Sequence, residues 1–127
     1  MRITLNTLLL TCSLGLSCTA AAQPAVAPET EINHLLEFVA ASSCTFVRNA
    51  DRYDGPEAAD HLRAKYERDK RHVTSAEKFI DRVASDSSIT GTPYTIKCED
   101  SETETTDRWL HKALAIHRNL SDPYRDR

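Results

Sequence analysis

The chain has 127 residues, with 16 Lys and Arg against 19 Asp and Glu, a formal net charge of −3, and 40% hydrophobic residues. A net-negative chain is a poor non-specific binder of nucleic acid, whose phosphates call for a basic surface. The sequence contains no C-x-x-C, H-x-x-x-H, H-E-x-x-H, P-loop, dinucleotide fingerprint or G-x-S-x-G, so it assigns no catalytic, cofactor or metal residue by motif.

Residues 1–22 are expected to be a secretory signal peptide. Arg2 supplies the positive start, Ile3–Leu16 the apolar run, and Ala20–Ala22 the small residues of a cleavage site, so that Gln23 begins the mature chain. The alternative is a lipoprotein acylated at Cys18, but Gly15 stands where such signals usually carry leucine. No later apolar run approaches the ~20 residues of a membrane-spanning helix. Cleavage after Ala22 would leave 105 residues with a net charge of −4 in the periplasm or outside the cell, a size for one modest core.

Gln23–Pro28 reads as a linker. A first helix is expected over Glu29–Ser42, with Ile32, Leu35, Leu36 and Val39 inward, and a short strand over Cys44–Val47. Arg48–Gly55 reads as a polar connection. Pro56 then opens a helix to Arg71 on the stripe Ala58, Leu62 and Tyr66. Glu57, His61 and Lys65 lie at i, i+4, i+8 and read as a solvated charge ladder. Thr74-Ser-Ala-Glu77 has the form of a capping box, opening a helix that buries Ala76, Phe79, Ile80, Val83 and Ala84. Ser85–Ser88 ends it. Gly91 is expected at positive φ, before a strand over Tyr94–Cys98. Glu99–Glu104 reads as an acidic loop. Thr105, Thr106 or Asp107 caps a last helix with Trp109, Leu110, Ala113, Leu114 and His117 inward, and residues 121–127 read as a loose tail. The expected fold is mainly α, about four helices with a short two-stranded antiparallel element, in one small domain over residues 29–120.

Cys12 and Cys18 fall in the leader, which leaves Cys44 and Cys98 as a pair in an exported chain, and the expectation is a disulfide. Alternation agrees: antiparallel pairing of Cys44 with Cys98 sets Phe46 opposite Ile96 on the same face. A phosphate cradle at Ser87–Gly91 is disfavoured, because this loop follows a helix C-terminus, where the dipole repels anions.

The blocks Phe46–Asn49, Ala58–Lys65, Thr74–Ile80, Ser87–Tyr94 and Trp109-Leu110, in this order and spacing, resemble a YfeK-like family of small exported bacterial proteins of unknown function. Ala50 stands where similar sequences carry glycine. The resemblance implies an envelope location and a single domain, and no activity. Two functions are open. One is a non-enzymatic envelope protein that binds another macromolecule. The other is a small-ligand or catalytic pocket built from Arg48, Asn49, His61, Lys65, Ser87 and Ser88, polar residues grouped in those blocks beside turns. No cofactor, metal or nucleic-acid partner is expected.

Overall fold

The fold is seen in a computed structural model that describes residues 26–125; the expected leader, with Cys12 and Cys18, lies outside the described residues. Helix α1 spans Pro28–Ala41. Pro28, expected as the last linker residue, is instead in the first helical turn, where its missing N–H costs nothing and its fixed φ suits the helix. Ile32, Leu35, Leu36 and Val39 face the core.

Strand β1 (Thr45–Arg48) turns directly into β2 (Asp51–Tyr53). The expected polar connection therefore contains a hairpin. Its two central residues, Asn49 (φ 49°) and Ala50 (φ 70°), are both left-handed, as in a two-residue turn whose twist matches the flanking strands. Asparagine tolerates this conformation, whereas Ala50 strains against it by about 1 kcal/mol. Strands β3 (Thr95–Lys97) and β4 (Glu104–Thr105) complete an antiparallel sheet in the order β2-β1-β3-β4. The expected two-stranded element is thus its centre. β4 takes the end of the expected acidic loop, where Glu104 accepts from Lys112 at 2.8 Å. Phe46 stands opposite Ile96, both buried. Two residues further along, past the Thr45–Lys97 pair, Cys44 and Cys98 form the disulfide, with a Cα–Cα distance of 4.3 Å.

Helix α2 spans Gly55–Asp69, followed by a 3₁₀ turn at Lys70–His72. The capping box is here: Glu57 N–H donates to Asp54 Oδ1 at 2.9 Å, and Asp54 N–H to Glu57 Oε2 at 3.1 Å. Gly55 is required by close approach, since a Cβ would lie 2.5 Å from the Ser42 carbonyl oxygen and 2.6 Å from that of Val39. The end of α1 and the start of α2 touch backbone to backbone.

Helix α3 begins at Ala76–Phe79 and continues as a π-helical turn over Ile80–Ala84. Its cap is Ser75, not Thr74: the Ser75 hydroxyl accepts from Lys78 N–H at 3.1 Å. Glu77 is drawn away to Arg118 of the last helix, so the expected reciprocal box does not form. The Ser85 hydroxyl donates to the Ile80 carbonyl at 2.8 Å and ties off the π turn. Helix α4 (Thr106–Leu120) starts from Thr105, one of the three expected caps. Leu110, Ala113 and Leu114 are buried. Trp109 is half-buried beside Phe38 and edge-on to Phe46. His117 is also half-buried, stacked on His34 of α1 at 3.7 Å. The four helices and the sheet share one core, in which Phe79, Leu35, Ile80 and Leu110 are completely buried.

Candidate functional site

β1 ends at Arg48, α2 runs past it, and the turn after α3 closes the third side. Arg48, His61, Lys65, Arg68, Ser87, Ser88, Ile89 and Tyr94 line the resulting open cleft of about 250 Å³. Five of the six polar residues singled out in the sequence are in that wall. The sixth, Asn49, stands at the rim, where its side-chain N–H donates to Ser87 Oγ at 3.2 Å and its oxygen accepts from the Thr90 hydroxyl at 2.8 Å.

The local backbone explains the meeting. The π turn brings Ser85–Ser87 back against α2. Tyr94 N–H bonds the Ser85 carbonyl, Ser87 N–H the Thr92 carbonyl, and Gly91 N–H the Ser87 carbonyl. Gly91 closes this loop at φ 68° as expected. Lys65 reaches it from α2, and its ammonium donates to the Asp86 carbonyl at 2.6 Å. The solvated-ladder reading of Glu57, His61 and Lys65 is therefore corrected. Glu57 caps α2, Lys65 is only 7% exposed, and His61 is half-buried between Arg48 and Tyr94.

Arg48 Nη1 lies 2.8 Å from His61 Nδ1 and 2.9 Å from Nε2. A donor equally close to both ring nitrogens cannot point along either in-plane lone pair, so the guanidinium lies against the face of the imidazole. Burial, then the charges of Arg48, Lys65 and Arg68, hold the His61 pKa below its ordinary value. Its ring is neutral at pH 7. Nε2 is 3.3 Å from the Tyr94 hydroxyl, whose pKa is raised by burial. Burial likewise lowers the Lys65 pKa, with the Asp86 charge acting against it.

The cleft is a cationic patch on an acidic chain. Among the described residues, Arg48, Lys65 and Arg68 have no carboxylate within ion-pair distance, as is also true of Arg52, Arg71, Lys78 and Lys97, whereas Arg63, Lys70, Arg82, Arg108, Lys112 and Arg118 have one. Asp86 is the acid whose charge most favours the Lys65 ammonium. Asp69 is engaged by Arg82 and His72. Asp51 stands across the hairpin from Arg48 but forms no ion pair with it. Behind Arg48 lies a second, small cavity of about 30 Å³, walled by Phe46, Tyr53, Ala58, Leu62 and Thr106 among others. Arg48 Nε and Thr106 Oγ1, from two residues of that wall, are buried without a hydrogen-bond partner.

Sequence reasoning missed Arg68, Ile89 and Tyr94. Arg68 carried a signal, for it lies three residues beyond Lys65 and seven beyond His61, on one helix face. Tyr94 read only as the start of a strand, and Ile89 as part of a turn. Among the described residues no group of three His, Cys, Asp or Glu gathers as a metal site, and no helix is long and apolar enough to cross a membrane.

Residues 26–118 match the model of a family of unknown function, DUF5329. The chain is also similar to an uncharacterized protein, YfeK, of Salmonella typhimurium, at 48% identity over 67 residues. That stretch covers 52% of this chain and 56% of the relative, so the match spans little more than half of either. No solved structure matches the chain. With its family model extending from the residues before α1 to the last turns of α4, the chain belongs to the DUF5329 family.

Proposed function

We propose that the protein is an exported, non-enzymatic binding module that holds a small ligand in the cleft of Arg48, His61, Lys65, Ser87 and Ser88, with Asn49 fixing its rim. The observation that carries this reading is the gathering of three cations, free of ion pairs, from two elements around one concavity, on a chain whose net charge is −3. Cations that only solubilise a surface have no reason to converge. The disulfide supports an oxidising compartment, and with it export.

Binding is favoured over catalysis because the candidate nucleophile and base are occupied elsewhere. Ser87 Oγ accepts from Asn49, and from the Ile89 and Thr90 N–H groups at 3.4 Å, which is a turn-holding role. His61 makes its contacts with Arg48 and Tyr94, and among the described residues no hydrogen bond joins it to either serine. A hydroxyl without a base is a weak nucleophile at neutral pH. A surface for a macromolecule has less support. The large exposed apolar side chains among the described residues are spread over the segment before α1, α1 itself, the Ser87–Gly91 turn, α4 and the segment after it, and only Ile116 and Leu120 have the spacing of one helix face.

The test is an NMR titration of the oxidised protein with a panel of anionic, neutral and cationic small molecules. Amide shifts confined to residues 48–49, 61–68 and 87–94, with the ligand recovered intact after incubation, are the expected result. A panel that moves none of these amides overturns the binding reading, and turnover of the ligand overturns the non-enzymatic one.

A further inference from the structure

We infer that the ligand of this cleft is a phosphate monoester, held as a dianion by the side chains of Arg48, Lys65, Arg68 and Ser88, with its uncharged remainder leaving past Ile89. This rests on the binding reading above and gives it a chemical class. The first argument is charge. Three cations and no carboxylate line the cleft, and Asp86 is the acid whose charge acts most on Lys65. The surplus is two positive charges. A phosphate monoester carries about −1.5 to −2 at pH 7, whereas a carboxylate or a phosphodiester carries one. His61 does not alter the count, because burial and its cationic neighbours keep it neutral. Asp51, opposite Arg48 in the hairpin, is exposed and outside the cleft lining, and Asp69 is held by Arg82 and His72, so neither cancels it.

The second argument is geometry. Arg48 is stacked on His61 and sits 5.8 Å from the centre of the Tyr53 ring. The guanidinium is thereby fixed in direction, with Nη2 in no hydrogen bond. Lys65 uses one of its three donors on the Asp86 carbonyl. Arg68 and the Ser88 hydroxyl are exposed and, among the described residues, have no hydrogen-bond partner. The donors thus come from three directions, which suits a tetrahedral group with three terminal oxygens better than a planar carboxylate. The anion is held by side chains and not by the loop N–H groups, so the objection that this turn follows a helix C-terminus does not apply.

The third argument is Ile89. It lines the cleft and is 91% exposed, the most exposed of the large apolar side chains among the described residues. Beside a cationic wall, it offers contact to an apolar part of the same ligand.

The test uses hexyl phosphate, with hexanoate and hexanol as controls, read by calorimetry and by the amide shifts of Arg48, Ser88 and Ile89. Hexyl phosphate is expected to bind at least tenfold more tightly than either control. Arg68→Gln is expected to weaken it by about tenfold, as for one charge-assisted hydrogen bond. Ser88→Ala is expected to weaken it less, and Ile89→Ser to bring hexyl phosphate down to inorganic phosphate. Arg68 and Ser88 are exposed and, among the described residues, make no side-chain hydrogen bond or ion pair, so both variants report on binding. Hexanoate or hexanol binding in the cleft as well as hexyl phosphate, or an Arg68→Gln protein of unchanged affinity, would overturn the inference while leaving the cleft a binding site. Silence from the whole panel is the separate result that removes the site itself. Cosedimentation with phosphatidylcholine vesicles containing phosphatidic acid, and not with phosphatidylcholine alone, would identify a lipid monoester as the source; binding confined to soluble hexyl phosphate would identify a free one.

Discussion

Arg118 and Arg48 are the same residue type put to opposite uses. Arg118, on α4, donates through Nε at 2.6 Å and Nη2 at 2.9 Å to the two carboxylate oxygens of Glu31 on α1. Its remaining Nη1 bonds Glu77 on α3. One guanidinium ties three helices, and both carboxylates hold its pKa above the ordinary value. Arg48 meets no acid, lies on a neutral imidazole, and leaves Nε buried without a partner. The backbone follows the same division. The disulfide joins β1 and β3 at the Cys44 end of the sheet, while the Arg48 end turns through two left-handed non-glycine residues. Paired charge and covalent closure mark the part that holds the fold. Unpaired charge and strain mark the part available to a ligand.

If that division is real, damage to the first region costs stability and spares the cleft. The largest effect is expected from the disulfide, which spans a sequence separation of 54 residues; closing a loop of that length is worth about 4 kcal/mol in the chain-entropy model. Cys44→Ala, Cys98→Ala and the double variant should each lose about 2–5 kcal/mol, the double no more than the worse single. Urea denaturation followed by Trp109 fluorescence measures this. A double variant as stable as the parent would remove the disulfide from the structural side.

Arg118→Met comes next. It leaves Glu31, 7% exposed, without a counter-charge. Removing one partner of a fully buried pair costs about 3–5 kcal/mol, and with the Arg118 side chain 46% exposed, solvent screening reduces the expectation to about 1–3 kcal/mol. Glu31→Gln in the Arg118→Met background should restore part of the loss. A loss that Glu31→Gln does not touch would mean the clamp acts through packing.

The sequence carried the first region far better than the second. Ile32, Leu35, Leu36 and Val39, or Phe79, Ile80 and Val83, announce buried helix faces because burial leaves a period in the chain. The Phe46–Ile96 register followed from alternation plus one cysteine pair. The β2 strand was hidden because Asp51 and Arg52 are exposed and its turn lacks the usual glycine. Gly55 read as the end of a polar connection, since a close approach to the Val39 and Ser42 carbonyls leaves no local signature. The polar residues of the cleft were named, but Lys65 read as solvated: a charged side chain that buries against a distant carbonyl, Asp86, has the sequence pattern of one in water. The Arg118 clamp joins residues 87 apart in sequence, and no periodicity reports such a contact.

Strain on the cleft side can be relieved without touching its charges. Ala50 holds φ 70°, so Ala50→Gly should stabilise the protein by up to about 0.5 kcal/mol, the left-handed penalty less the added freedom of glycine in the unfolded chain. Gly91→Val, at φ 68° with open space around its Cβ position, should cost about 1 kcal/mol or more, because a β-branched side chain is ill suited to the left-handed region. The two denaturation midpoints should move in opposite directions. An Ala50→Gly protein less stable than the parent would show that the hairpin has no strain to release.

The smallest effect on stability, and the sharpest contrast with Arg118, is expected at Arg48. Arg48→Met removes a buried N–H that lacks a partner, which favours the variant because an unsatisfied buried donor costs about 1–3 kcal/mol. It also removes the stack on His61 and the contact with Tyr53, each worth about 0.5–1 kcal/mol. These terms oppose each other, and methionine refills much of the volume, so stability without ligand should stay within about 1 kcal/mol of the parent. The pH dependence gives a second reading. The folded-state pKa of His61 lies below its unfolded value, so its contribution to stability is full above the unfolded pKa near 6.5 and is lost as pH falls through the folded one. Removing the Arg48 charge raises the folded pKa towards the unfolded value and shrinks that loss. His34, also lowered chiefly by burial, keeps its own acid-side dependence. Denaturation midpoints between pH 7.5 and 5.5 should therefore fall less steeply in Arg48→Met than in the parent, while affinity for the cleft ligand drops. A destabilisation as large as that of Arg118→Met would erase the distinction between the two arginines and make the cleft part of the scaffold.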